Sequence, residues 1–509
     1  MTNNKGISEN SRRIARNTVL LYFRMFLLMI VGLFTSRVIL RALGSSELGI
    51  YGAVAGVVTM FSILTGSMSS AISRFITFEM GKDGPDLGKV FSSAVSIQLI
   101  LSAIIVILAE PAGLWWISNK MVLPPDRIEA ARWVLHFSVI SFIIQLISVP
   151  YNADIIAHER MDAFAYISIF EALGKLAVAF AISVSAGDKL IIYAGLLALV
   201  SLLTRMAYGI FCKRHFAETR AKMQLDKGYF KQMFSFAGWN FIGAGSAVLR
   251  DQGGNQLLNL FFGPVANAAW LLATQVNGAV QKFVTSFTTA INPQITKSYA
   301  SGEKDYMMRL IFRGSRLSVW LLMLVVLPLI FNAEFLTGIW LGQGQAPENT
   351  VTFIRLVLIY LMIESVSYTM VTAMLSTGNI RDYQLLVGGL QLLNLPVDYI
   401  LLKAGAPAEV IYYVASGVAL LCLGARLFML RKMIGLPAGL FLRDVFLREL
   451  VVVGLGLVVP FYFSTVLPES WGGFLISLAA TELWCIVIIF LLGLDRDEKH
   501  ILTHKILHR

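Results

Sequence analysis

Eight Lys and Arg residues stand inside stretches otherwise apolar enough for a bilayer: Arg24, Arg37, Lys175, Arg205, Arg250, Lys282, Arg355 and Arg426. A guanidinium presents a fork of donors that grips phosphate or carboxylate bidentately, so an arginine facing a cavity is an anion receptor. Charges at this depth are costly and usually face the bundle interior. Some have plain explanations. Arg37, Arg355 and Arg426 lie near segment ends and can reach an interface with their long stems. Glu171 and Lys175 are four apart and neutralise each other on one helix face; Arg205 is open either way. Arg24 and Arg250 resist such explanations, because each falls in the first span of its half of the chain. Arg250 heads the run Arg250-Asp251-Gln252-Gly253-Gly254-Asn255, whose polarity and paired glycines predict a locally weakened helix lining a cavity. The bland alternative pairs Asp251 with Arg250, although adjacent helix positions do not face each other. Lys282 falls about 18 residues into the following span, between cavity and interface. Arg74 closes the second span, where it either guards a mouth or reaches the surface.

Acids inside the apolar stretches are fewer. Glu364 and Glu482 are central in their segments. Gln384, Gln391 and Asp398 recur every seven residues and share a helix face. Interhelical hydrogen bonding is the bland reading of the two glutamines; Asp398 is open. No Gly-x-x-x-x-Gly-Lys-Ser/Thr loop is present, so direct nucleotide hydrolysis is not expected. Coupling to a proton or sodium gradient would fall to Asp251 and Glu364. Pro150, Pro328 and Pro396 are in or near segment interiors and are expected to kink them. Two patterns carry no chemistry on this reading. Asp495-Arg496-Asp497 has no nucleotide-binding domain around it and reads as a solvated tail. His500, His504 and His508 share a face but lack a carboxylate or cysteine framework. Cys212, Cys422 and Cys485 are too far apart for a metal motif, and a disulfide framework is not expected. The expected complement is no metal, no cofactor and no catalytic residue.

The elements that position these side chains follow from composition. The 509 residues are 57% hydrophobic and 14% charged, with mean hydropathy +0.71. Soluble domains carry about 25% charged residues, so the chain reads as an all-α polytopic membrane protein. A span needs about 20 mostly apolar residues. About fourteen such segments are legible: six from Thr18 to Phe211, six from Met233 to Leu430, and two from Leu450 to Leu494. The first is too long for a signal-peptide core and lacks a small-residue cleavage site, so it reads as a retained span. The net charge of +11 raises nucleic acid as a partner, but its placement argues otherwise. With both termini cytoplasmic, about 28 of the Lys and Arg residues fall in cytoplasmic segments and about 6 in outer loops, the asymmetry that membrane insertion favours. The basic connector Lys213, Arg214, Arg220, Lys222, Lys227 and Lys231 is then a lipid-facing signal, and no nucleic acid is expected.

The chain also repeats itself. Adding 219 to each number places Gly44 on Gly263, Tyr51 on Trp270, Ser67 on Ser286 and Ile76-Thr77 on Ile295-Thr296, with no gap from Leu43 to Thr77. Two six-span copies have the same orientation, and parallel repeats of this kind hold substrate between them. The organisation expected is an N-lobe over 1–212, a cytoplasmic connector over 213–232, a C-lobe over 233–432, two further helices within 433–494 and a tail over 495–509.

The segment around Arg24, then Leu40-Arg41-Ala42-Leu43-Gly44-Ser45-Ser46-Glu47-Leu48-Gly49-Ile50-Tyr51 and Ser69-Ser70-Ala71-Ile72-Ser73-Arg74-Phe75, resembles bacterial polysaccharide-export flippases of the O-antigen (Wzx) type. The Gly378-Asn379 turn fits as well. These belong to the multidrug/oligosaccharidyl-lipid/polysaccharide exporter superfamily. The resemblance implies a V-shaped pair of six-helix lobes, alternating access, and an inner-membrane location. It implies a cargo of undecaprenyl-diphosphate-linked oligosaccharide, with membrane lipids, a polysaccharide polymerase and a chain-length regulator as partners. Cavity arginines carry over to Arg24 and Arg250, then to Arg74 and Lys282. The two extra helices resemble those that form a lipid-tail groove in lipid II flippases, whereas many O-antigen flippases have twelve. A multidrug antiporter would want cavity acids in place of Arg24 and Arg250; a lipid II flippase is the other relative to exclude. A polymerase or ligase would want reactive groups in a large outer loop, where only Lys120, Asp126 and Arg127 stand.

Overall fold

The computed structural model describes residues 24–80, 86–158, 160–220, 224, 226–377, 380–495 and 498–499. Residues 1–23, Gly378-Asn379, Arg496, Asp497 and the tail histidines His500, His504 and His508 lie outside them, as does the side chain of Arg74. The described residues are helical, without strands. The helices in order are α1 (Arg24–Leu43), α2 (Ser45–Thr59), α3 (Ser62–Met80), α4 (Leu87–Asn119), α5 (Ile128–Ala157), α6 (Met161–Ser183), α7 (Lys189–His215), α8 (Lys227–Phe262), α9 (Pro264–Ala300), α10 (Lys304–Phe331), α11 (Ala333–Leu341), α12 (Thr350–Ser365) and α13 (Tyr368–Ser376). Helical stretches follow over Arg381–Lys403, Val410–Ile434, Ala438–Val466 and Trp471–Gly493.

Among the described residues 10 helices are long and apolar enough to span, or 12 if the bent pairs α2/α3 and α12/α13 each count once. The expected fourteen also include α8 and α9. These are helices of 36 and 37 residues, but polar side chains keep them out of that set. Helix starts obey local rules. Asp86, Asp188 and Asp226 each accept backbone N–H groups of the turn they open, satisfying donors that have no intrahelical partner. The bends of 45° and 41° fall at Thr59–Leu64 and Ser365–Tyr368, whereas α5 and α10 run on through Pro150 and Pro328.

The repeat is visible in the backbone. Gly44 ends α1 at φ 83, ψ 169, and Gly263 ends α8 at φ 75, ψ −172. This region is open essentially only to glycine, so both copies make their first inter-helix turn in the same way.

The chain divides into two compact units between Ala268 and Ala269. In the first, Ile50, Val54, Ile72, Ile97, Leu135 and Leu146 centre a core built from α2 to α5. Helix α8 belongs to this unit, and its polar run has a role different from the expected one. The helix is continuous through Arg250–Asn255, with Gly253, Gly254 and Asn255 buried. Asn255 Nδ2 donates to Gly52 O at 3.1 Å, and Gln256 Nε2 to Ala53 O at 2.7 Å. Gln256 Oε1 accepts from Trp116 Nε1 at 2.9 Å. Asn267 Nδ2 closes the set on Asn255 at 2.7 Å. The polarity expected to weaken a cavity helix therefore binds α8 to α2, α4 and α9, with each amide satisfied by a neighbour.

In the second unit the final two helices dock on α10. Trp320, Met323 and Leu327 pack with Val452, Cys485 and Ile488. Below them Arg316, 4% exposed, pairs with Asp495 at 2.8 Å and Glu498 at 3.0 Å, and Arg448 also binds Asp495. Asp495, expected in a solvated tail, is instead a latch. Arg426, expected to reach an interface, is 5% exposed, because it faces the packed side of Val410–Ile434. Asp398 is 3% exposed and shares the buried stripe of its helix with Asn394 and Leu402.

Candidate functional site

Three neighbouring chambers, sharing lining residues such as Lys175, Gln145 and Glu171, open within the first unit, of about 450, 190 and 330 Å³. Together they fall in the size range of ligand sites. Helix spacing builds them. From α1 come Arg24, Leu28, Val31 and Thr35, spaced to share one face. Helix α5 supplies Ser138, Ser141, Gln145, Ser148 and Asn152, alternating by three and four. Ser168, Glu171 and Lys175 do the same on α6, and Leu197, Ser201, Thr204 and Tyr208 on α7. Helix α2 adds Tyr51, and the α2/α3 bend adds Thr59, Ser62 and Thr65.

The charges are arranged asymmetrically. Arg24 stacks its guanidinium over the Phe164 ring at 4.3 Å, a cation–π contact that orients the fork while leaving its edge available. Lys175 Nζ meets Glu171 Oε1 at 2.6 Å, so the expected neutralising pair exists, and it lines the cavity. Glu171 is the one carboxylate among the described lining residues, which leaves Arg24 uncompensated. Arg24 Nε, Ser138 Oγ and Thr204 Oγ1 are buried without a hydrogen-bond partner in the protein. A buried orphan of this kind costs about 1–3 kcal/mol, and a polar guest or water in the chambers removes that cost. The surface offered is therefore hydroxyl- and amide-rich with one net cation, suited to many-hydroxyl molecules that carry an anionic group.

The other expected site residues are placed apart from it. Arg250 is in the first unit but lines none of these chambers; its Nε holds Asp251 Oδ1 at 2.8 Å. The bland pairing thus occurs, the long guanidinium stem reaching round a neighbour that the backbone directs elsewhere. Asp251 itself is exposed, and Lys282 is exposed on α9. Glu364 is half-buried, at the last turn of α12 beside the α12/α13 bend in the second unit. Arg205 lies over the Tyr151 ring at 3.8 Å, and Arg355 donates to Ile330 O and pairs with Glu334.

A family model described as "Polysaccharide biosynthesis protein" matches residues 14–299, more than half of the chain. The chain belongs to the polysaccharide biosynthesis protein family. No curated protein matches it. The structure titled "Lipid II flippase MurJ, inward closed conformation" aligns over 92% of this family member and 98% of its own chain, at TM-score 0.69 and 13% identity. An inward-facing multidrug resistance MATE family transporter of the MOP superfamily aligns over 81% and 94%, at 0.60 and 12%. A MOP superfamily transporter from Pyrococcus furiosus aligns over 83% and 95%, at 0.56 and 12%. At such identities the likeness is one of fold, that of the MOP transporters.

The serines, threonines and amides of α5 and α7 escaped the sequence reading of this family member, which weighed charges. Their signal was present as polar residues alternating by three and four inside apolar helices.

Proposed function

We propose that the chain carries undecaprenyl-diphosphate-linked oligosaccharide from the cytoplasmic to the outer leaflet by alternating access, for surface polysaccharide such as O-antigen or capsule. The observation that carries this is the cavity. Its hydroxyls and amides match sugar hydroxyls, and Arg24, fixed over Phe164 beside the Glu171–Lys175 pair, matches a diphosphate. Such a head group resists hydrocarbon, so a polar path through the protein supplies the rate while the polyprenyl tail stays in lipid. A guanidinium in a poorly screened cavity holds phosphate more strongly than in water.

The proposal includes an inner-membrane chain with cytoplasmic termini, lobes over 1–212 and 233–432, and head-group contacts from Arg24 first. Arg250, Arg74 and Lys282 come after it. Because Asp251 is held by Arg250, Glu364 beside the α12/α13 bend is the stronger coupling acid. Glu364→Gln should then abolish ion dependence where Asp251→Asn does not.

The test is complementation. Cells lacking the protein should regain surface polysaccharide with wild type and fail to with Arg24→Ala, at equal membrane abundance. Restored drug resistance without polysaccharide would favour an antiporter, and rescue of a strain lacking its peptidoglycan flippase would favour lipid II.

A further inference from the structure

At one end of the first unit, α5 runs out at Ala157 and the chain turns through His158. A second turn, Glu218–Arg220, returns beside it. Asp154, His158 and Glu218 meet there, with one ligating atom from each lying within 4.8 Å of the others. The side chains of Asp154 and Glu218 are 0% and 7% exposed, and that of His158 is 21% exposed.

Two buried carboxylates with one imidazole leave an electrostatic deficit. Neither oxygen of Asp154 nor Oε1 of Glu218 receives a hydrogen bond. Among the described residues no Lys or Arg pairs with either. Cys212 directs its thiol to Tyr151 O, away from them. Among the described residues the basic partner of both is His158, 3.4 Å from Asp154 Oδ1 and 3.2 Å from Glu218 Oε1. Two buried carboxylates thus share a single imidazole, and such a surplus is retained where something further cationic binds it.

The imidazole is set for that task. Its Nδ1 lies 3.0 Å from Asp154 O. A carbonyl can only accept, so Nδ1 carries the proton and Nε2 keeps its lone pair in the neutral ring. This is the usual arrangement that orients a metal-binding histidine. The ring is clamped by stacking on Phe216 at 4.1 Å. Its Nε2 stands 3.2 Å from Glu218 Oε1 without hydrogen-bond alignment. Tetrahedral zinc with bonds of about 2.0–2.2 Å separates its ligand atoms by roughly 3.3–3.5 Å, a spacing that Nε2 and Glu218 Oε1 already meet. Asp154, whose Oδ1 lies 3.4 Å from Nδ1, closes on the ion by a side-chain rotation within a cluster already 4.8 Å across.

We propose that Asp154, His158 and Glu218 bind one divalent transition-metal ion, zinc by preference, as a staple joining the end of α5 to the 218–220 turn. The nitrogen ligand disfavours calcium and magnesium, which take oxygen. Two carboxylates balance the charge of the ion, and water completes the tetrahedron. The site is separate from the substrate cavity and is independent of which substrate the chain moves.

The test uses the full chain, purified without a metal-binding tag, with His500, His504 and His508 replaced by alanine so that the tail contributes no ligand. After chelator treatment and desalting, zinc is titrated against a chromophoric chelator and counted per chain by elemental analysis. The expected result is one zinc per chain, with that equivalent lost in Asp154→Asn/Glu218→Gln and weakened about 10–100-fold in His158→Ala. Cobalt added to the parent chain should give the intense visible bands of a four-coordinate site. This reading does not depend on any variant folding. Zinc bound equally by parent and double variant, no zinc above background, or only the weak bands of six-coordinate cobalt would each overturn the proposal.

Discussion

Replacing Gly49 by alanine tests how the first unit is held together. A Cβ at this position would stand 1.6 Å from Pro264 O and 2.4 Å from Pro264 C. Ordinary contact begins near 3.4 Å, so the two backbones must part by about 1.8 Å. Nothing soft can absorb this. Pro264 opens α9 with its φ fixed by the ring, and Gly49 lies in the first turns of α2, flanked by buried Leu48 and Ile50. Overpacking of this kind costs about 1–3 kcal/mol when side chains can adjust, and backbone against backbone belongs at or above the top of that range. Two controls separate the causes. Gly44→Ala meets nothing within 4 Å but sits at φ +83, a strain of about 1–3 kcal/mol. Gly66→Ala meets nothing and has ordinary helical φ, so it should be neutral or gain up to about 1 kcal/mol from helix propensity. Thermal unfolding in detergent, read by fluorescence-detected size exclusion, should rank Gly49→Ala lowest, Gly44→Ala between, and Gly66→Ala at or above wild type. A Gly49→Ala protein as stable as Gly66→Ala would refute the contact between the starts of α2 and α9.

Gln256→Ala removes a donor to Ala53 O and an acceptor for Trp116 Nε1. Interhelical hydrogen bonds in membranes average about 0.6 kcal/mol and reach about 1.7, so a loss of about 1–3 kcal/mol is expected in the same melt; no loss would mean that the network is incidental. Arg127 binds Asp188 at 2.7 Å and Glu47 at 2.6 Å, and its hydrogen bond to Asp188 holds that carboxyl below the usual carboxylate range. A depressed carboxyl stabilises the fold above its unfolded pKa of about 3.9 and loses that contribution as pH falls through the folded value. Arg127→Gln should therefore melt lower than wild type at pH 7, and the gap should narrow as pH falls below about 3.9; a gap constant in acid would contradict the pairing. Ending the chain after Leu494 strips Arg316 of Asp495 and Glu498, leaving a buried unpaired charge, which costs about 3–5 kcal/mol. The truncated protein should melt lower, and adding Arg316→Met should recover part of the loss; equal melting of truncated and full chains would refute the latch.

Spans and repeat were legible because they rest on local properties. Apolar runs announce helices, and Gly44 and Gly263 stand in register because both turns need a backbone that side chains forbid. What was not legible depends on partners far along the chain. Asn255 looks like a cavity residue until Gly52 O, 203 residues earlier, is seen to accept from it, as Ala53 O does from the neighbouring Gln256. Asp154 and His158 are four apart and visible as a pair, but Glu218 is brought to them by folding alone. Arg426 lies near enough to a helix end to reach water, and only the packing of its helix decides that it does not. Of the expected cavity cations, Arg24 lines a chamber because α1 turns that face inward, whereas Arg250 is taken up by its neighbour Asp251.

The most direct test of the proposed transport is the leaflet in which lipid-linked oligosaccharide resides in cells without the protein and without a redundant flippase. Head-group labelling from outside should find almost none, with the undecaprenyl-linked unit accumulating inside. Wild type should restore labelling. Arg24→Ala, which removes a charged contact worth about 1.5–3 kcal/mol, should restore it at least about tenfold less well. Normal outer-leaflet labelling in the deleted cells, or full restoration by Arg24→Ala, would contradict the reading of the cavity as the path of the head group.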